Sequence, residues 1–308
     1  MTNEQTLEFL TTAANQHASD IFIIAGRPLS IKVDGHLTDY GERLIPDDTK
    51  QILECIYQMA NNRDINHLLN TGDDDFSFSV PGLSRFRINA YKQRGSLAAV
   101  IRVIAFQLPD PSELSIPDDV MQTADYTKGM VLVTGSAGSG KSTTMACLID
   151  RINHSREGHI ITLEDPLEYL HRHNRCIVSQ REICTDTANY LTSLRATLRQ
   201  SPDVILLGEM RDHETIQTAM TAAETGHLVL SSLHTLGAAN SISRIIDVFE
   251  PAQQHQIIVQ LSMVLQTVIS QQLVPDVNGH NIPVFEIMRL TPAIRNMIRD
   301  NKIYQIDG

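Results

Sequence analysis

The chain is poor in the features that would set it apart from an ordinary globular protein. Four of its 308 residues are cysteine, Cys55, Cys147, Cys176 and Cys184, and none forms a C-x-x-C pair. That excludes a zinc ribbon or a disulfide framework and leaves reduced, structural thiols. No apolar run approaches the ~18 residues needed to cross a bilayer, so no integral membrane segment is expected. The opening residues, Met1 to Gln5, are polar and lack the basic-then-apolar order of a signal peptide, which points to the cytoplasm. Basic residues are outnumbered 36 to 25 by acidic ones, for a net charge of −11. That balance argues against nucleic acid as the partner. Internal repeats and low-complexity tracts are absent as well. What remains is a chain long enough for two domains.

The most informative stretch is Gly135 to Ser142, which reads G-S-A-G-S-G-K-S. It fits G-x-x-x-x-G-K-[ST], a loop that cradles the phosphates of a nucleoside triphosphate. A short apolar strand, Met130 to Thr134, runs into it, and a helical stretch, Thr143 to Ile149, runs out. Gly135, Gly138 and Gly140 let the backbone turn its N–H groups inward, beside Ser136, Ala137 and Ser139. The helix start adds partial positive charge where phosphates would sit, next to Thr143. Lys141 can reach the β- and γ-phosphates, and the Ser142 hydroxyl can bind Mg²⁺. ATP and Mg²⁺ are the expected ligands.

Three prolines within residues 108–117 mark a linker, because proline removes backbone donors and resists helix. The expected organisation is residues 1–108 as one domain, 109–125 as linker and 126–308 as a second. In the first, a helix is expected over 4–16 with Leu7, Leu10 and Ala14 inward, and another over 47–59. Strands are expected at 20–24, 29–33, 76–80, 85–91 and 97–104, a small α+β domain. Asp73, Asp74 and Asp75 read as a solvated turn. The second half alternates strands (130–134, 159–163, 203–207, 228–233) with helices (142–153, 188–199, 212–225, 237–247). That alternation is the mark of an α/β fold with a parallel sheet. Two further strands, 268–274 and 282–288, flank Asn278-Gly279, a hairpin-turn pair.

Hydrolysis needs more than a phosphate loop: a carboxylate to orient water and groups to stabilise the transferring phosphoryl. The apolar strand Ile161 to Leu163 ends in Glu164 and Asp165. Ligands of parallel sheets bind beyond the C-terminal strand ends, so Glu164 is the candidate general base. The stretch Asp203 to Asp212 resembles a Walker B strand, but Gly208 stands where most phosphate-loop enzymes carry aspartate. Glu209 remains to act on Mg²⁺ through water or on the nucleophile, and Arg211 and Asp212 read as capping or pairing residues. Gly226 to Thr235 carries His227 and His234, the latter at a strand end where a γ-phosphate sensor can sit.

In order and wording these clusters resemble the secretion ATPases of type II and type IV pilus systems. The four boxes of that superfamily match 135–142, 161–169, 203–212 and 226–235. Ala18 to Ile21, Val33-Asp34-Gly35, Thr71 to Ala90 and Ala293 to Ile298 look most like pilus-retraction ATPases of the PilT type. The resemblance implies a PAS-like N-terminal domain, a RecA-like ATPase domain and a homohexamer. It implies a protein peripheral to the cytoplasmic membrane face, engaging a pilus platform protein and working beside a pilus assembly ATPase. It further implies arginines that reach the nucleotide phosphates, a role that Arg85, Arg87 and Arg102 fit by position. The implied activity is ATP hydrolysis powering pilus retraction. The alternatives are pilus assembly or type II secretion, or a nucleotide-binding regulator of low turnover. Two departures stand out. Phe22 occupies a position where many relatives carry histidine, and relatives carry further helices past the point where this sequence stops, at Gly308.

Overall fold

A computed structural model describes residues 1–33, 35–104, 108–277 and 281–306. The chain divides into two units, Met1–Phe106 and Gln107–Gly308. Asp34 and the Asn278-Gly279 turn lie outside the described residues.

The first unit runs α1 (Asn3–Asn15), β1 (Asp20–Ile23), β2 (Leu29–Val33), β3 (His36–Tyr40), α2 (Pro46–Met59), α3 (Asn66–Thr71), β4 (Asp73–Val80), β5 (Ser84–Gln93) and β6 (Ser96–Ile104). The strands form one antiparallel sheet in the order β3-β2-β1-β6-β5-β4. Leu10, Ile52, Leu53 and Ile56 of the helices share a core with Ile21, Ile31, Phe86, Ile88 and Ile101 of the sheet. Helix α1 begins at a capping box, in which Thr2 accepts from the Gln5 N–H and Gln5 returns the bond. Its buried face is Thr6, Leu10 and Ala13, not the Leu7, Leu10, Ala14 stripe expected, and Leu7 is exposed. The Thr6 hydroxyl donates back to the Thr2 carbonyl, which lets a polar residue take the inward position.

Asp73 to Asp75 correct the reading as a solvated turn: all three lie in β4, paired with Tyr91, Ala90 and Asn89. Strand alternation turns Asp74 inward along with Phe76 and Phe78. Its buried carboxylate accepts from the Tyr57 hydroxyl at 2.9 Å and from two Arg63 nitrogens at 2.9 and 2.7 Å. The Arg63 guanidinium sits 4.7 Å above the Phe76 ring. Burial alone would raise the Asp74 pKa, but the bonds from Arg63 and Tyr57 outweigh it and hold the carboxyl below its usual range. Its contribution to stability is therefore present above pH ~4 and fades as pH falls below that. Asp74→Asn keeps the shape and removes the charge. It is expected to cost about 2 kcal/mol in urea denaturation at pH 7, with the loss shrinking toward pH 3.

The second unit continues with α4 (Asp118–Met121), β7 (Gly129–Thr134), α5 (Lys141–Ser155), β8 (Gly158–Glu164), β9 (Cys176–Glu182), α6 (Tyr190–Thr197) and β10 (Val204–Leu207). It ends with α7 (His213–Glu224), β11 (Leu228–Leu233), α8 (Ala238–Asp247), α9 (Pro251–Val264), β12 (Leu265–Pro275), β13 (Asn281–Arg289) and α10 (Pro292–Arg299). Seven strands line up as β13-β12-β7-β11-β10-β8-β9. All neighbours are parallel except β12 and β13. The fold class is α/β, as expected. Both faces of the sheet are covered. Leu132, Leu163, Leu207 and Val229 pack with α6 to α9 on one side, and Val131, Ile160, Leu206 and Leu230 pack with α4 and α5 on the other. Burial on both faces is why these strands read as near-continuous apolar runs. Within the stretch expected as a linker, Ile116, Val120, Met121 and Ala124 are buried in that second core. The prolines around them mask a segment that packs.

Candidate active site

The parallel strands β7, β8, β10 and β11 all end on one edge, and an open cleft lies beyond it. Ala137, Gly138, Lys141 and Ser142 line one wall, Glu164, Asp165 and Glu168 a second, and Glu209, Arg211 and His234 a third. Sequence had placed these groups on separate strands, and the parallel register gathers them.

The loop between β7 and α5 is held by glycines and by a strand behind it. Gly135 has φ +147°, and a Cβ there would collide with the Gln271 carbonyl oxygen of β12. Gly140 has φ +88°, and a Cβ would meet the Gln271 side chain at 2.8 Å. Gln271 also accepts from the Thr144 hydroxyl at 2.7 Å. It braces the loop from below, and nothing in its local sequence marks it for that work. Lys141 folds over its own loop, its ammonium donating to the Gly135 and Ser136 carbonyls at 3.0 and 2.7 Å. Burial pulls its pKa below the usual lysine range, against the opposing pull of Glu209 and Glu168. Ser142 faces the cleft. Thr143 turns to the Tyr169 hydroxyl at 3.0 Å, and Ser139 is buried.

Glu164 ends β8 and is partly buried. Loss of solvation pushes its carboxyl up to about 7. The Gln180 amide donates to it at 3.4 Å. Glu209, just past β10, is buried, with 8% of its surface exposed. It holds a close ion pair with Arg211 and lies 3.2 Å from His234 Nε2. Asp212 caps α7, accepting from the Thr215 N–H and hydroxyl, each at 2.8 Å. Sequence had left Arg211 and Asp212 as capping or pairing residues, and each does one of these.

His227 is not brought to the cleft. It precedes β11, whose first residue pairs with Gly129 at the start of β7. At ~3.3 Å per residue it lies roughly 20 Å from His234, at the opposite edge of the sheet. There its Nδ1 is 2.9 Å from the Ala222 carbonyl, closing the C-terminal turn of α7. Arg85, Arg87 and Arg102 belong to the first unit. Arg87 pairs across the ladder with Arg102, and Arg85 follows alternation onto the same face. Arg87 engages Asp75 through two bonds, at 3.2 and 2.7 Å, and Arg102 reaches Asp20 at 3.3 Å.

Two cleft residues went unnoticed in the sequence. His171 lies in the loop before β9, and burial pushes its pKa down to about 4. It is therefore neutral at neutral pH, and its buried Nδ1 has no hydrogen-bond partner among the described residues. Tyr190, at the start of α6, comes close to Gly208. Only the folding of the β8–β9 and β9–α6 connections places these two, so no local signal announces them.

Residues 3–304 match the family of Type II/IV secretion system proteins. The chain belongs to that family. It is 44% identical over 299 residues to the type IV pilus retraction ATPase PilT of Pseudomonas aeruginosa, covering 97% of this chain and 86% of that one. Identity to a twitching motility protein of Neisseria gonorrhoeae is 40% over 304 residues, covering 98% and 80% of the two chains. The crystal structure of the pilus retraction motor PilT with bound ADP matches with a TM-score of 0.89 at 44% identity, covering 98% and 88%. The RecA-like architecture implied by the resemblance is thus shared with the pilus retraction motor PilT, solved with bound ADP. In this member of the family the segment Ala293 to Ile298 forms part of α10, with Ile298 fully buried. There Arg295 donates to the Ser262 and Met263 carbonyls at the end of α9, at 2.5 and 3.1 Å.

Proposed function

We propose that this protein is a motor ATPase that hydrolyses ATP to power type IV pilus retraction, the disassembly step of twitching motility. The observation that carries the reading is the gathering of Lys141, Glu164, Glu209 and His234 around one cleft at the strand ends. The 44% identity to a pilus retraction ATPase over nearly the whole chain supports it. In this reading the loop 135–143 holds the phosphates, and Lys141 leaves its own carbonyls for the β- and γ-oxygens. Glu164 takes a proton from the attacking water, and His234 senses the γ-phosphate. Arg87 and Arg102 exchange Asp75 and Asp20, and Arg85 exchanges the Ser79 hydroxyl, for phosphate oxygens on their own or a neighbouring copy, since a guanidinium fork suits a carboxylate or a phosphate.

Ser142 and Glu209 offer hard oxygen donors, the kind Mg²⁺ takes. Among the described residues no group of three His, Cys, Asp or Glu could hold a metal by itself. The ion would therefore be shared with the nucleotide, where it neutralises charge on the phosphate oxygens. The working form is a homohexamer at the cytoplasmic membrane face, acting on a pilus platform protein beside an assembly ATPase. Among the described residues no helix is long and apolar enough to cross the membrane.

The test pairs phosphate release by the purified protein with pilus counts in a deletion strain. Steady ATP turnover and an excess of surface pili are expected. Absent pili would assign the chain to assembly, lost export without a pilus change to secretion, and no turnover to a nucleotide-binding regulator.

A further inference from the structure

The end of β10 departs from most phosphate-loop enzymes in lacking an aspartate, and the packing around Gly208 accounts for it. A Cβ on Gly208 would stand 2.8 Å from the Tyr190 hydroxyl oxygen, and 3.4 Å from both the Glu164 Cα and the Leu163 carbonyl oxygen. The Gly208 N–H also donates to that Leu163 carbonyl at 2.8 Å, which draws the ends of β8 and β10 together. The Ser232 hydroxyl donates to the Gly208 carbonyl at 2.6 Å and fixes the other side. A side chain at 208 would thus have to enter space that the tip of Tyr190 already fills. The tyrosine reaches it from another element: Asn189 caps α6 by accepting from the Thr192 N–H, and Tyr190 is the helix's first residue.

We infer that Tyr190 is a positioning residue of the ATPase site, its hydroxyl standing in for the missing Walker B aspartate. It would hydrogen-bond the water shell of the divalent cation held with the nucleotide. The inference rests on the ATPase reading above.

The chemistry of the position suits this role. Tyr190 lines the same cleft as Ser142 and Glu209. Burial raises its pKa, and the charges of Glu209, Asp165 and Glu164 raise it further, so the phenol keeps its proton. Among carboxylates that can only accept when ionised, a protonated phenol both donates and accepts. It can accept from a cation-bound water while donating to a neighbouring carboxylate. A side chain at this end of the cleft needs no negative charge to order such a water shell, and Glu209 already provides one. The aspartate is thus replaced by a neutral group from a different helix, and glycine at 208 is the condition for it.

The experiment follows Mn²⁺ by electron paramagnetic resonance in the presence of ADP, with turnover as a second readout. Wild-type protein is expected to hold Mn²⁺ in the ADP complex. Tyr190→Phe removes one oxygen and should weaken that Mn²⁺ about tenfold, the usual scale for losing an outer-shell partner. ADP affinity without metal should stay within twofold, and kcat should fall while KM for ATP does not rise. Gly208→Asp alone should lower Tm, because its side chain meets the Tyr190 hydroxyl. In the Tyr190→Phe background that clash is relieved, so the double variant should recover Tm and bind Mn²⁺ more tightly than Tyr190→Phe alone. Wild-type Mn²⁺ affinity in Tyr190→Phe, or strictly additive effects in the double variant, would overturn the inference. A wild-type protein that binds no ADP would overturn the ATPase reading first and this one with it.

Discussion

Glu209→Gln is expected to lower ATP turnover at least a hundredfold while nucleotide affinity changes by less than threefold. Glu209 is the most buried carboxylate of the cleft, and its oxygens are committed to Arg211 on one side and His234 on the other. Glutamine keeps the size but loses the charge that a metal-bound or attacking water would feel. Losses of 10²–10⁴ are typical when such a group is removed. Folding should hardly notice. Arg211 is three-quarters exposed, and an ion pair with so wet a partner is worth ~1 kcal/mol or less. Tm is therefore expected to move by no more than a few degrees. A drop in kcat with unchanged binding, measured by phosphate release and by a fluorescent nucleotide titration, is the signature of a group that acts on the transition state. If turnover stays within threefold of wild type, Glu209 is a structural partner of Arg211 and the assignment fails.

The same pair shows what the sequence could and could not reveal. Glu209 and His234 were legible because each follows an apolar strand, and parallel strands deliver whatever follows them to one edge. His227 carried the same label and went elsewhere, because it precedes its strand. Strand polarity, and not residue type, separates the two histidines. The strands β7, β8, β10 and β11 were readable for a related reason: burial on both faces makes them continuous apolar runs. The edge strand β9 alternates buried and exposed residues over Cys176 to Val178 and then turns polar through Ser179, Gln180, Arg181 and Glu182, so its pairing with β8 is visible only in the fold. Helix α9 opens Pro-Ala-Gln-Gln-His-Gln, and no apolar face announces it until Ile257. Asp74 misled because three adjacent aspartates suggest water, whereas alternation buries the middle one wherever an arginine waits. Tyr190, His171 and Gln271 were beyond local reading altogether. Tyr190 comes to Gly208 across 18 residues of chain, and Gln271 comes to Gly135 across 136.

Glu164 should give the second large effect and the one most sensitive to pH. Its carboxyl is raised to about 7 by burial, so it is largely protonated at pH 6 and largely ionised at pH 8. A general base works only when ionised. The plot of kcat/KM against pH, which reports the free enzyme, is therefore expected to rise about tenfold per pH unit below 7 and to level off above it. Glu164→Gln should lower the plateau by about a hundredfold and abolish that limb. A limb that survives in the variant would belong to the nucleotide's own phosphates and would remove Glu164 from the role of base. Stability gives an independent check of opposite sign. A carboxyl whose pKa is raised on folding costs almost nothing at pH 4 and below, where it is mostly neutral in both states. It costs increasingly as pH climbs from its unfolded value toward 7, because folding must then take up a proton from an ever scarcer supply, and above 7 must bury the charge. Glu164→Gln removes that cost, so the variant should melt above wild type at pH 8 and with it at pH 4. A residue whose loss destroys turnover yet steadies the fold is kept for chemistry and not for packing, and that combination would distinguish Glu164 from every other carboxylate in the cleft.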